Sequence, residues 1–388
     1  MAVATEARNL SVHYKQYSNA SEALRIMGIV YQNRSEYDSA RMMYTRGLKY
    51  AREDPDIIQE AKIETSLGYL CVAEEKYIEA LAHYRKSLLI SKNNKHQEGI
   101  ANALNHIGII YQNIRNYDSS MVYYHNALNL FTILDNNKGK AEVFNNMGVV
   151  DFYRGDYSMS IQHFLGALNI QTKLGNKKSI AINMGNIASI YQMMDNYPKA
   201  LEYYEASLKL HKELQNNLSI AIMLGNIANL YQVWGKPKKS LVHFDRALEK
   251  YIEVGHKRGT AITMSNMGNK YYSLKQYRKA IKYQEEAIAV FEKINDEQEL
   301  ANALLKKSES LFEIKQINKA KQDAILSITL AEKLGLKELL KDAYFHLAAI
   351  YEMEQAFDKA NQYYKSYMHI KDSIYNENKH QQIAELQD

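Results

Sequence analysis

GIANALNHIGIIYQNIRNYDSSMVYYHNALNLFTIL, residues 99 to 134, holds two apolar periodicities separated by a polar turn. Leu104, Ile107 and Tyr111 step by three and four, as do Tyr124, Ala127, Leu128 and Phe131, so each set falls on one face of a helix. Asn116-Tyr117-Asp118 breaks the pattern between them, and Asp135-Asn136-Asn137-Lys138-Gly139 separates this pair of helices from the next pair. The same arrangement returns every forty residues. Reading from position 28 gives Gly28, Gly68, Gly108, Gly148, Ala188, Ala228, Gly268, Ser308 and Ala348. Three residues on stand Tyr31, Cys71, Tyr111, Asp151, Tyr191, Tyr231, Tyr271, Leu311 and Tyr351, and twelve on stand Ala40, Ala80, Ser120, Ser160, Ala200, Ser240, Ala280, Ala320 and Ala360. Small residues recur where two helices must touch. Gly175, Gly255 and Gly335 fall at helix ends, where a left-handed C-terminal cap favours glycine. No stretch shows the alternation of a strand.

Composition agrees. The chain has 388 residues, of which 46% are hydrophobic and 24% charged, with three prolines. Forty-nine basic and forty-four acidic residues leave +5 spread over the whole length, too dilute for a polyanion footprint, so no nucleic-acid partner is expected. No apolar run is long enough to span a bilayer and the first twenty residues lack an apolar signal core, which predicts a cytoplasmic chain, or a periplasmic one if it is an excised sensor domain. Cys71 is the single cysteine, so the fold rests on packing.

The column pattern resembles the tetratricopeptide repeat in its longer, forty-residue form. That resemblance implies an all-α, right-handed superhelical solenoid of about nine helix-turn-helix repeats, first helices inside and second helices outside, each repeat burying its apolar face against its neighbours. The expected organisation is a partial helix or cap over residues 1–20, nine repeats over 21–380 and a helical tail over 381–388. Glu64 departs from an apolar column, so the second repeat should pack differently. Repeat eight, with Ser308, Leu311, Ile317 and Ala324, diverges most and is expected to be a looser joint.

Signatures of catalysis are absent: there is no HExxH, GxSxG, CxxC pair, Walker loop or GxGxxG, and neither an enzymatic activity nor a cofactor is expected. His83, His163 and His243 share a column, but eighty residues apart they cannot share a metal ion. The sharper signal lies two residues before the small column, where Asn146, Asn186, Asn226 and Asn266 succeed one another at repeat spacing. Asn105, Asn145, Asn229 and Asn269 stand beside that column, and Gln192 and Gln232 continue the amide stripe one turn on. Residues 179–194 and 218–235 carry no charged side chain. The resemblance places these columns on a concave face, where related long-repeat scaffolds hold an extended peptide. An asparagine amide both donates and accepts, so it can pair with a peptide unit whatever its side chain. The alternative is that these amides bond neighbouring helices or water. Residues 363–386 resemble the segment that closes such arrays in bacterial sensor histidine kinases and transcriptional regulators. The expected function is therefore a protein-interaction scaffold in signal transduction. The alternatives are a stand-alone regulator of a signalling enzyme, of the response-regulator phosphatase kind, and, further off, helical-repeat RNA binding. The sequence does not settle the oligomeric state.

Overall fold

The computed structural model describes residues 17–53 and 58–387, and among these every regular element is an α-helix. In chain order they are α1 (Tyr17–Asn33), α2 (Tyr37–Glu53), α3 (Ile58–Ala73), α4 (Tyr77–Asn93), α5 (Gln97–Asn113), α6 (Tyr117–Ile133), α7 (Asn137–Tyr153), α8 (Tyr157–Lys173) and α9 (Lys177–Met193). Beyond them lie α10 (Tyr197–Glu213), α11 (Asn217–Val233), α12 (Pro237–Glu253), α13 (Lys257–Ser273), α14 (Tyr277–Ile294), α15 (Glu297–Glu313), α16 (Ile317–Leu334), α17 (Lys337–Met353) and α18 (Phe357–Gln387). Odd-numbered helices open a repeat and even-numbered ones close it. The first helix begins at Tyr17, four residues ahead of the boundary expected at 21, and residues 1–16 lie outside the described chain.

The forty-residue period divides into two turns of twenty. A residue with positive φ occurs at 35 and then at every twentieth position from 75 to 355, sixteen in all among the described residues, of which five are glycine: Gly155, Gly175, Gly235, Gly255 and Gly335. Around each, the same two bonds close the helix. At the end of α5, Asn116 N donates to Tyr111 O (2.9 Å) and Arg115 N to Gln112 O (3.0 Å), the paired bonds of a Schellman cap. Where the next residue is Asn, Asp or His, its side chain then caps the helix beyond it, whereas Lys76, Lys236, Gln276, Gln316 and Leu336 make no such bond. Asn116 Oδ1 accepts from Ser119 N, Asn136 Oδ1 from Gly139 N and Asp156 Oδ1 from Met159 N, at 2.9–3.0 Å. One three-residue link therefore ends a helix, reverses the chain and starts the next, which fixes the helix length at seventeen for most of the array.

Helices pack on their sequence neighbours through the small column. In the first three repeats a Cβ added at Gly28, Gly68 or Gly108 would lie 2.3–2.6 Å from the ring of Tyr44, Tyr84 or Tyr124, sixteen residues later. Those rings are at most 2% exposed. A Cβ added at Gly148 would stand 3.0 Å from the ring of Phe164 in the same sense. The second helix thus lays an aromatic face directly on first-helix backbone. Ser120 Oγ and Ser160 Oγ pin the seam by donating to the carbonyls of Gly108 and Gly148. A second aromatic layer alternates. Tyr111–Tyr123, Tyr191–Tyr203, Tyr271–Tyr283 and Tyr351–Tyr363 stack at 5.3–5.6 Å, whereas two intervening repeats hold histidine: Asp151 with His163 (2.5 Å) and Tyr231 with His243.

The chain divides into two compact units, residues 1–203 and 204–388. In the first unit, Glu64 is 1% exposed where its column is otherwise mostly apolar, and His83 Nδ1 (2.7 Å) and Lys86 Nζ hold its carboxylate, with Arg52 at 4.0 Å. Those hydrogen bonds outweigh the cost of burial and keep its carboxyl below the ordinary range. In the second unit, repeat eight inverts the seam: Ser308 Oγ donates to the Ala320 carbonyl at 2.6 Å, and Ala324 stands where the ring would be. Lys307 bonds Asp323 across that smaller space (3.0 Å).

Two substitutions test these joints. Gly108→Leu should cost at least about 1–3 kcal/mol by overpacking against Tyr124, read as a lowered melting temperature; an unchanged melt would refute the assignment. Gly175→Ala should cost about 1 kcal/mol although nothing lies within 4 Å of the new methyl, because the penalty is the positive φ alone. Denaturant midpoints within error of wild type would show that the turn tolerates a side chain.

Candidate functional site

Within each unit the first helices also meet the first helices of neighbouring repeats, α1 with α3 and α5 with α7 in one, α13 with α15 and α15 with α17 in the other. The amide columns lie along this side. In the first unit, Asn105 on α5 is 4% exposed and accepts at Oδ1 from Asn146 Nδ2 on α7 (3.0 Å). This pair ties one first helix to the next, the bonding role left open by the sequence. Asn145 is half-buried beside it, and Asn186 and Gln192 are half-buried on α9.

Asn105, Asn145 and Asn146 line a cavity of about 260 Å³ that they share with Gln171, Asn183 and Glu142. Gln171 is 5% and Asn183 3% exposed, and neither Gln171 Oε1 nor Asn183 Oδ1 has a hydrogen-bond partner among the described residues. Sequence reasoning missed both, though the signal was there. Asn183 shares its column with Ile63, Ala103, Val143, Met223, Thr263 and Ala303, and Gln171 shares one with Phe131, Tyr251 and Phe291. A buried amide at such a position costs stability unless something satisfies it.

Tyr69, His106 and Glu142 line both this cavity and a larger neighbouring one of about 990 Å³. Tyr69 Oη lies 3.2 Å from His106 Nε2, ring edge on ring face at 4.8 Å between centroids. Burial lowers the His106 pKa to about 4, so the imidazole is neutral at neutral pH. Burial, with Glu142 nearby, pushes the Tyr69 phenol up to about 12. Desolvation also raises the Glu142 carboxyl, against the weaker pull of Lys138.

In the second unit, Asn226 and Asn229 on α11 and Asn266 on α13 line a cavity of about 290 Å³ together with Ile222, Ile262 and Gly225. Asn269 is half-buried with Oδ1 unpaired among the described residues, and Gln232 is exposed at the end of α11. Gly225 sits inside a helix, where glycine is unfavourable by about 1 kcal/mol relative to alanine, and a Cβ there would meet nothing within 4 Å. Packing does not require it. Among the described residues no group of three or more His, Cys, Asp or Glu could hold a metal ion, and no helix is long and apolar enough to cross a membrane.

Helices joined in pairs throughout the described residues, with a small-residue seam and a row of amides on the first-helix side, define a helical-repeat protein. Residues 139–213 and 219–293 match the tetratricopeptide repeat family, and the columns that define those repeats run on through the helix pairs at either side. A 90-residue stretch is 32% identical to the transcriptional activator NprA of Geobacillus stearothermophilus, a match covering 23% of this chain and 22% of that protein. Among solved structures, a signal-transduction ATPase with a tetratricopeptide repeat sensor from Pyrococcus horikoshii superposes with a TM-score of 0.66 at 17% identity, over 87% of this chain and 51% of that one. The quorum sensor NprR of B. thuringiensis does so at 0.60 and 15%, over 93% and 99%, and a Rap protein complexed with Competence and Sporulation Factor at 0.55 and 16%, over 92% and 99%. At these identities the likeness is one of fold.

Gly225→Leu separates site from scaffold. With open space above the glycine, the variant should fold as stably as wild type or gain up to about 1 kcal/mol of helix propensity. A lowered melting temperature would show that Gly225 is a packing residue.

Proposed function

We propose that the chain is a non-enzymatic interaction module that captures an extended peptide or partner segment against its first helices, as the sensing or regulatory part of a signalling system. The observation that carries this is the lining of the two cavities. Each is rich in asparagine, each lies on the first-helix side of its unit, and the one in the second unit has aliphatic residues and a helix-interior glycine between its amides. An extended chain presents alternating donors and acceptors that match such amides regardless of its own sequence, while Ile222 and Ile262 offer apolar contact. The fold likeness to NprR and to a Rap protein solved with a signalling factor accords with this reading. A second reading, direct control of a signalling enzyme, rests on fold likeness alone, including that to aspartyl phosphate phosphatase F of Bacillus subtilis (16% identity, TM-score 0.58, over 91% of this chain and 94% of that one).

The test is affinity capture from the source cell with wild-type and Asn226→Ala/Asn266→Ala baits, then affinity measurement on the captured partner. Each lost hydrogen bond should cost about 0.5–1.5 kcal/mol, so the double variant should bind roughly ten- to a hundred-fold more weakly at an unchanged melting temperature. Retained affinity with a lowered melting temperature would show that these amides serve the scaffold.

A further inference from the structure

Two features of the first-unit cavity go unused in holding the repeats together. One is the pair of buried acceptors, Gln171 Oε1 and Asn183 Oδ1, which the described residues leave unsatisfied. The other is Glu142, whose carboxylate lines the same cavity without an ion pair among the described residues. Its column carries isoleucine at 182, 222 and 262 and a polar or charged residue in the other repeats, so Glu142 is the last acidic side chain of that column before the aliphatic stretch. The remaining wall residues carry no cation, since His106 is neutral and Asn105 Oδ1 is already occupied by Asn146, while Lys138, one turn before Glu142 on α7, pulls on its carboxylate without forming an ion pair.

An unsatisfied buried acceptor costs about 1–3 kcal/mol, and such groups in a native structure call for an explanation. A ligand that satisfied all three would bring several N–H donors on one rigid group and a positive charge. Guanidinium has five donors in a planar fork, and ammonium has three. We propose that this cavity receives the cationic side chain, arginine in preference to lysine, of the peptide bound by the array, with Glu142 supplying the opposite charge and Gln171 and Asn183 accepting its N–H groups. This rests on the peptide-capture reading above and adds the chemistry that one position of the peptide must have.

The probe is N-acetyl-arginine N′-methylamide, with its citrulline counterpart as a neutral isostere, titrated against the full chain by ligand-observed NMR. The arginine probe should bind at least tenfold more tightly than citrulline. Glu142→Gln should remove that difference. Because desolvation raises the Glu142 carboxyl against the weaker pull of Lys138, its protonation on acidification should set in above the ordinary carboxylate range, weakening the arginine probe and leaving citrulline unaffected. Gln171→Met removes one acceptor while keeping the shape. It should weaken the arginine probe and hold or raise the melting temperature, whereas a purely structural Gln171 would lower it. Equal affinity for the two probes, no binding of the arginine probe, or indifference to Glu142→Gln would overturn the proposal. A tripeptide with arginine at its centre should bind more tightly than methylguanidinium; equal affinities would assign the cavity to a free small cation and overturn the peptide source. The Asn226→Ala/Asn266→Ala double variant reads capture in the second unit, so the two proposals fail separately.

Discussion

The structure depends on an aromatic ring resting on a helix backbone that has no side chain in the way. Tyr44, Tyr84 and Tyr124 occupy the notches left by Gly28, Gly68 and Gly108, and a single methyl in any notch would penetrate the ring. The close approach buries both partners and sets the depth at which each second helix nests on its first. Because the notch recurs at a fixed period, each joint repeats the last, and apolar surface is buried between neighbours in place of one central core. Where the ring is missing, at Gln284 and Ala324, other groups take up the seam, and at repeat eight the serine changes helix while the bond to the opposite carbonyl survives.

This joint was legible because both partners are rare shapes at fixed spacing. Glycine inside a helix and tyrosine sixteen residues on are visible against any background. The turns were only half legible. Gly175, Gly255 and Gly335 announced left-handed caps, but Arg115, Asp135, Lys275 and Lys315 adopt the same conformation without announcing it. There the Schellman bonds hold the backbone against the preference of the side chain, joined after Arg115 and Asp135 by the asparagine that caps the next helix.

The candidate site was legible in outline and obscure in detail. An asparagine at repeat spacing on a charge-free stretch marks a polar face, but the column cannot say which amide faces outward. The Asn146–Asn105 bond joins two helices, while Asn226, Asn229 and Asn266 line open space. The residues that sharpen the site, Gln171, Asn183 and Glu142, belong to other columns and converge only when α5, α7, α8 and α9 are brought together. What betrays Gln171 and Asn183 in the sequence is departure from type, an amide where rings recur and an amide where aliphatics recur, whereas Glu142 stands in a column that is polar or charged in most repeats and is not marked by it. In a repeat protein such departures are informative because the neighbouring repeats serve as controls. Glu64 is the counterexample, a departure that His83 and Lys86 absorb into the scaffold.

The central claim is that the second helices build the wall while the first helices hold the ligand. Amide hydrogen exchange of the full chain, with and without a captured partner peptide, tests it most directly. Protection gained on α5, α7 and α9 in the first unit and on α11 and α13 in the second, with α6 and α12 unchanged and α8 affected only around Gln171, is the result the account predicts. Protection concentrated on the second helices, or spread evenly over both, would contradict it.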